Sequence, residues 1–195
     1  MRAMNKINFK YIYERTLQLL LKPESEWPHA LEENNTEKEI FRNYLIPIAL
    51  LTSVMVLLLS LLNYNFLQSG GLAIINLLSA TLGCWFSYLI TREYMCGKLS
   101  YENNQALNLT VYSAAIFIIF HSIGTALGSA FLGQLFTLFS FIFIRTLYKG
   151  LSTLPRLQTG QRTNILIIMS LSIICLPVII SQILTIVFGI SAFNI

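Results

Sequence analysis

The chain alternates long apolar stretches with short polar ones, and the apolar stretches determine the predicted architecture. A helix needs about 20 residues to cross a bilayer core of about 30 Å. Five stretches are long enough, at about residues 44–62, 72–91, 106–127, 130–148 and 164–188. The pattern therefore predicts an all-α polytopic integral membrane protein, with a five-helix transmembrane bundle in residues 44–195.

Residues 1–43 are more polar and form a separate N-terminal segment. Residues 9–22 predict an amphipathic helix, because polar residues recur every four positions and apolar residues cover much of the rest. The recurring polar positions are Lys10, Glu14, Gln18 and Lys22. Such a helix lies in the headgroup plane or packs under the bundle, and the sequence favours neither. Pro23 ends it, and residues 23–35 are predicted to be a polar connector with Trp27 as an interfacial anchor.

Local signals refine the spanning helices. Thr36 and Glu39 have the spacing of a capping box, so a helix begins there and continues into the first span. Pro47 is expected to kink that helix near the membrane surface, and Pro177 is a candidate break in the fifth span. The third and fourth spans are joined by about two residues, which predicts antiparallel neighbours. Gly124 and Gly128 have GxxxG spacing there, for close packing or, alternatively, for a flexible turn.

The composition and charge distribution add an orientation. Charged residues make up 11% of the chain, against roughly 25% in soluble domains. Lys and Arg occur only in residues 1–43, 92–105 and 145–164, on alternate sides of the predicted spans. Positive flanks stay in the cytoplasm, so we expect a cytoplasmic N-terminus and an outside C-terminus. The predicted spans imply that the chain lies in a lipid bilayer.

The loop "RTLYKGLSTLPRLQTGQRTN" at 145–164 is the most basic short loop. Its Lys149, Arg156 and Arg162 form a candidate cytoplasmic basic face for an anionic lipid or a protein partner. The alternative is that these charges only set topology. We expect no nucleic-acid binding, because the basic residues are not interleaved with stacking aromatics.

No motif for catalysis, a cofactor or a metal is present. The sequence has no Asp, two His and three Cys without a CxxC spacing, so we expect a non-enzymatic protein without cofactor or metal. Four intramembrane polar residues fall at similar depth in the outer third of the bilayer: Asn76, His121, Gln134 and Gln182. We expect this polar layer to point into the bundle, with His121 and Gln134 closest, either as interhelical hydrogen bonds or as a ligand or proton site.

Four stretches resemble the Yip family of five-span membrane proteins, particularly its prokaryotic inner-membrane branch. They are "LLLKPESEWPHALEEN" (19–34), "YLIPIALL" (44–51), "CGKLSYENNQALNLTVYSAA" (96–115) and "LYKGLSTLP" (147–155). The resemblance implies five spans with an N-in, C-out topology in a bacterial cytoplasmic membrane. It implies no catalytic residues. Eukaryotic members act in vesicle trafficking with Rab GTPases and have a long cytoplasmic N-terminal region, which about 43 residues represent here.

Two functions follow as expectations. The first is a non-enzymatic membrane organiser or adaptor of unknown molecular role, supported by the resemblance and by the charged cytoplasmic face. The second is a small permease or lipid-handling channel that uses the polar layer inside the bundle.

Overall fold

A computed structural model describes residues 8–128, 131–155 and 157–189. Seven helices run through these residues, and no strand occurs in them. They are α1 (Phe9–Leu21), α2 (Pro23–Glu32), α3 (Glu37–Ser60), α4 (Phe66–Leu99), α5 (Asn103–Leu127), α6 (Phe131–Thr153) and α7 (Thr159–Val187). Helices α3 to α7 are long and apolar enough to cross a membrane. The predicted all-α bundle of five spans is confirmed.

The bundle is built around α5. Every residue from Ala106 to Ile118 is buried, and α5 packs against α3, α4 and α6, while α4 packs along α7. Small residues such as Ala106, Ala114 and Ala115 let the neighbouring helices approach closely. Large apolar side chains on α3, α6 and α7 are exposed instead. This distribution is typical of a bundle whose outer surface contacts lipid.

The helices extend beyond the predicted spans. The second span was predicted at 72–91, whereas α4 runs over 34 residues, Phe66–Leu99. At 1.5 Å per residue α4 is about 50 Å long, well over the hydrocarbon thickness. Hydropathy detects only the part of a helix that contacts hydrocarbon, so polar turns at the ends are missed. Helix α4 ends at Ser100, which adopts a left-handed conformation with φ 58°.

The start of α3 contains the predicted capping box and a π turn that the sequence did not predict. The capping box is present: Glu39 N donates to Thr36 Oγ1 at 3.3 Å, and Thr36 N donates to Glu39 Oε2 at 3.1 Å. Pro47 produces a wider π turn over Phe41–Leu45. Because proline has no N–H to donate to the carbonyl four residues earlier, the helix widens there. As a result Asn43, Tyr44 and Leu45 are all buried.

Two close contacts fix neighbouring helices. A Cβ on Gly124 would lie 2.4 Å from Thr137 Oγ1 and 2.8 Å from Thr137 N, so α5 and α6 touch at the predicted GxxxG end. Pro177 does not break α7, which is continuous from Thr159 to Val187. It packs into a notch at Gly83, where a Cβ would lie 2.5 Å from Pro177 Cγ. The candidate break is therefore a packing contact.

The N-terminal segment corrects two predictions. Residues 23–35 were predicted to be a connector, but Pro23–Glu32 is a helix, because Pro23 occupies its first turn, where no N–H is needed. Trp27 was predicted to be an interfacial anchor, but its side chain is fully buried. Helices α1 and α2 form a hairpin against α5 and α6. Helix α1 thus packs against the bundle, which is one of the two placements left open, and a position in the headgroup plane stays a prediction.

Every charged residue that the structure describes falls in 8–42, 92–102 or 145–162. Contacts join these three segments. Lys149 pairs with Glu24, Arg92 lies 3.6 Å from Glu37, and Tyr101 donates to the Pro155 carbonyl at 2.8 Å. We call this end of the bundle, with the α1–α2 hairpin, the charged end.

Candidate functional site at the charged end

The inner face of α1 places a cation inside the protein. Ile12, Arg15, Thr16 and Leu19 are the buried residues of this helix. Arg15 is only 9% exposed, and its two terminal nitrogens donate to Glu26 and Glu33. One guanidinium therefore binds two carboxylates of the α2 side of the hairpin. Breaking such a buried pair by removing one partner costs about 3–5 kcal/mol.

Glu33 is the centre of this arrangement. Tyr112 of α5 donates to its Oε2 at 2.5 Å, Tyr11 donates to its Oε1 at 3.1 Å, and Asn35 donates to its Oε2 at 3.0 Å. With Arg15, four side chains thus donate to one carboxylate. A carboxylate satisfied in this way suits a structural clamp between hairpin and bundle better than proton transfer.

Burial shapes the electrostatics of this cluster. It raises the pKa of Tyr11 above its usual value, and the negative charge of Glu33 adds to the increase. Burial alone would lower the Arg15 pKa, but Tyr11 and Glu33 outweigh it and raise that pKa overall. The phenol therefore stays protonated and the guanidinium stays charged, which are the forms that the hydrogen bonds require.

Aromatic rings surround the cluster. The Arg15 guanidinium carbon lies 5.5 Å from the Tyr11 ring centre and 5.7 Å from that of Tyr112. Tyr112 packs edge-on against Tyr44, with ring centres 4.8 Å apart, and the Tyr44 hydroxyl lies 2.8 Å from Thr16 Oγ1. The π turn at the start of α3 thus brings Tyr44 to the hairpin.

The hairpin has two further attachments. Trp27 Nε1 donates to the Thr146 carbonyl of α6 at 2.7 Å, and the indole packs directly on Gly150, where a Cβ would lie 2.7 Å from Trp27 Cε2. Asn108 of α5 donates to the carbonyls of Ala30 and Glu33, each at 2.9 Å. The second attachment satisfies carbonyls at the end of α2 that have no partner within the helix.

The four stretches that resemble the Yip family meet at this cluster. The first stretch contributes Trp27 and Glu33, and the second contributes Tyr44. The third contributes Asn108 and Tyr112, and the fourth contributes Gly150. We therefore take the hairpin with these contacts as the candidate functional site, and call it the docked hairpin. Arg15, Glu26 and Tyr11 also belong to it, although the sequence analysis did not select them.

The predicted basic face is only partly open to a partner. Lys149 donates to Glu24 at 2.5 Å, and this contact lowers the pKa of the Glu24 carboxyl. The positive charge of Lys149 is thus matched within the protein. Arg162 is partly exposed, and Arg156 lies outside the described residues. Binding of a lipid or a protein by this face stays a prediction.

The polar layer is divided between interior and surface. Asn76 Nδ2 donates to Ser53 Oγ at 3.1 Å and to Thr52 Oγ1 at 3.4 Å, which joins α3 and α4. His121 is partly buried and stacks on Phe117, with ring centres 4.8 Å apart. That His121 and Gln134 form the closest pair stays a prediction.

Gln134 and Gln182 are exposed, so the expectation that all four residues point inward is wrong for these two. They lie on α6 and α7, in which only 28% and 22% of the most apolar part of the helix is buried inside the protein. Both glutamines are within about two turns of a helix end, where a long side chain reaches the headgroups.

Among the described residues, no group of three His, Cys, Asp or Glu side chains is placed to hold a metal ion. A family model described as the Yip1 domain matches residues 17–182. No curated protein and no solved structure matches the chain.

Proposed function

The chain belongs to the Yip1 family of integral membrane proteins, and on this premise we propose that it is a non-enzymatic organiser or adaptor in the membrane. Its docked hairpin and the adjoining loops offer one binding surface at the charged end. The occupant of that surface is a protein partner or an anionic lipid headgroup.

The observation that carries this proposal is the way the hairpin is held. Arg15, Glu33 and Tyr112 join α1, the end of α2 and α5, and Trp27 joins α2 to α6. The surface is therefore ordered before any partner arrives. Binding to a preorganised surface avoids the entropy cost of ordering side chains and loops.

We place the charged end in the cytoplasm of a bacterial inner membrane. The support is the distribution of Lys and Arg, which among the described residues occur at this end only. Reporter fusions after Gly97 and Gly160 should report a cytoplasmic location, and fusions after Tyr64, Gly128 and Ile195 a location outside. A cytoplasmic C-terminus would contradict this orientation.

Photo-crosslinking in intact membranes tests the adaptor function. A crosslinking amino acid in place of the exposed Glu32, in an otherwise unaltered protein, should capture a discrete partner or lipid. Arg15→Met should remove that product, because the two carboxylates lose their cation and the hairpin undocks. Lys10→Met is the matched control, since Lys10 forms an exposed ion pair with Glu14 on the same helix. Its product should persist.

Tyr11→Phe is a milder variant in case Arg15→Met does not accumulate, because it removes hydroxyl contacts to Glu33 but keeps the ring. It should weaken the crosslink partially. The same products from all variants, or no product from the unaltered protein, would overturn the proposal.

The second candidate is a small permease or lipid-handling channel. Its support is the polar contact of Asn76 with Thr52 and Ser53 between two spans. The apolar packing around α5 and the uninterrupted α7 favour the adaptor. Solute or lipid-scrambling assays in proteoliposomes separate the two: transport that Asn76→Leu abolishes in a stable protein would favour the channel.

A further inference from the structure

A groove between α4 and α7 runs along the outside of the bundle at the charged end. It has a volume of about 550 Å³, and its apolar lining includes Leu89, Ile90 and Ile168. Glu93, Tyr94 and Lys98 line it toward the end of α4. Lys98 is nine residues after Leu89 on the same helix, which is roughly 13 Å along the helix axis. The groove therefore extends from the acyl-chain region toward the headgroups.

Lys98 also borders a second, polar cleft of about 580 Å³. This cleft lies between the α4–α5 turn and the α6–α7 loop, which are bridged by the hydrogen bond from Tyr101 to the Pro155 carbonyl. Glu102 and the amides of Gln105 and Gln161 line it. An apolar groove and a polar cleft thus meet at one lysine.

The charges at this junction are of both signs. Lys98 is exposed, and among the ion pairs of the described residues it takes part in none; its ammonium lies 5.3 Å from the centre of the Tyr94 ring. Glu93 and Glu102 are exposed carboxylates on either side of it in the sequence. A ligand that carries a phosphate and an ammonium group beside an apolar chain matches this pattern.

We propose that the α4–α7 groove binds one phospholipid with an ethanolamine headgroup from the leaflet at the charged end. An acyl chain lies along Leu89, Ile90 and Ile168, the phosphate contacts Lys98, and the ammonium group contacts Glu102. This site is separate from the docked hairpin and does not depend on a partner binding there. Both sizes fall within the range of small-molecule sites.

Gly97 allows the groove to be blocked without disturbing the fold. A Cβ at Gly97 would meet only the Glu93 side chain, at 3.5 Å, which is an ordinary van der Waals contact. Gly97→Leu therefore fills the groove next to Lys98, and leucine favours helix more than glycine does. Glu102→Gln is similarly mild, because the Glu102 side chain makes no capping hydrogen bond at the start of α5.

Native mass spectrometry of the purified protein, titrated with phosphatidylethanolamine or phosphatidylglycerol of identical chains, tests the site. The unaltered protein should bind one phosphatidylethanolamine more tightly than phosphatidylglycerol. Lys98→Gln should weaken both lipids about tenfold, the loss expected for one charge-assisted hydrogen bond. Glu102→Gln should remove the preference while phosphatidylglycerol still binds. Gly97→Leu should abolish the bound lipid with no loss of thermal stability.

Lys10→Gln makes the same charge change on α1 and should leave lipid binding unchanged. Equal binding by the unaltered protein and Gly97→Leu, or phosphatidylglycerol bound as tightly as phosphatidylethanolamine by the unaltered protein, would overturn the proposal. Loss of binding in Lys10→Gln equal to that in Lys98→Gln would also overturn it, since the effect would then be one of net charge.

Discussion

Replacing Gly150 with alanine adds one methyl group where α6 meets the docked hairpin. At an exposed position inside a helix, this change stabilises the folded protein by about 1 kcal/mol, because alanine has a higher helix propensity than glycine. Here the new Cβ would lie 2.7 Å from Trp27 Cε2 and 2.8 Å from Leu109 Cδ2. Both neighbours are fully buried, and the hydrogen bond from Trp27 to the Thr146 carbonyl restricts the indole.

The sign of the effect follows from comparing the two contributions. Overpacking a filled core costs about 1–3 kcal/mol. Since the methyl group meets side chains of two different helices, we expect the upper part of this range, and hence a net destabilisation of about 1–2 kcal/mol. Trp27→Leu removes the ring that the methyl group strikes. The double variant should therefore lose less stability than the sum of the two single losses.

The assay uses the fluorescence of Trp27 during denaturant unfolding in detergent micelles. The chain has two tryptophans, and Trp85 is 41% exposed, so a Trp85→Phe background leaves Trp27 as the reporter for Gly150→Ala. Variants that carry Trp27→Leu lack this fluorophore, so their unfolding is followed by circular dichroism. Gly70→Ala on α4 is the matched control, because nothing lies within 4 Å of its Cβ position. If Gly150→Ala and Gly70→Ala have the same stability, the packing argument is refuted.

Three further predictions rest on other contacts. Gly124→Leu should lower the folded yield and the unfolding temperature, because its Cβ would meet Thr137 at 2.4 Å; unchanged thermal unfolding would show that this end is only a flexible turn. Asn76→Leu should cost about 0.6 kcal/mol, the typical value of an interhelical hydrogen bond in a membrane, since it removes the bond to Ser53; unchanged stability in denaturant unfolding would contradict a structural role. The pKa of Tyr11 is raised in the folded protein, so its contribution to docking is fully present below the ordinary tyrosine pKa of about 10 and is lost as the pH rises from there toward the folded-state pKa. Tyr11→Phe should therefore weaken the increase of hairpin proteolysis at alkaline pH. Identical pH profiles of proteolysis for Tyr11→Phe and the unaltered protein would count against the cluster.

The spanning helices were predictable because each must present about 20 apolar residues to the bilayer. The capping box at Thr36 was predictable for a similar reason, since its two hydrogen bonds join residues only three apart. Helix α2 was missed because Pro23 suggested a break and residues 23–35 are polar. A proline in a first turn is compatible with a helix, and burial of Trp27 against α6 stabilises the rest.

The buried cluster was harder to predict, although one signal was present. Arg15 lies between Ile12 and Leu19 on the apolar side of α1, away from the polar stripe of Lys10 and Glu14. A charged residue on the apolar side of an amphipathic helix indicates a partner inside the protein. The identity of that partner depends on tertiary contacts, because Tyr112 is 79 residues from Glu33 in the sequence.

The convergence of the four family-like stretches has a physical reason. Apolar residues that face lipid can replace one another, because the bilayer requires only that they be apolar. The hairpin contacts are more demanding. The indole of Trp27 needs a neighbour without a side chain, which Gly150 supplies, and the carboxylate of Glu33 needs donors at the position of Tyr112. In this chain the family-like stretches therefore supply the residues that hold the N-terminal hairpin against the bundle. This is why we place the binding surface at the charged end.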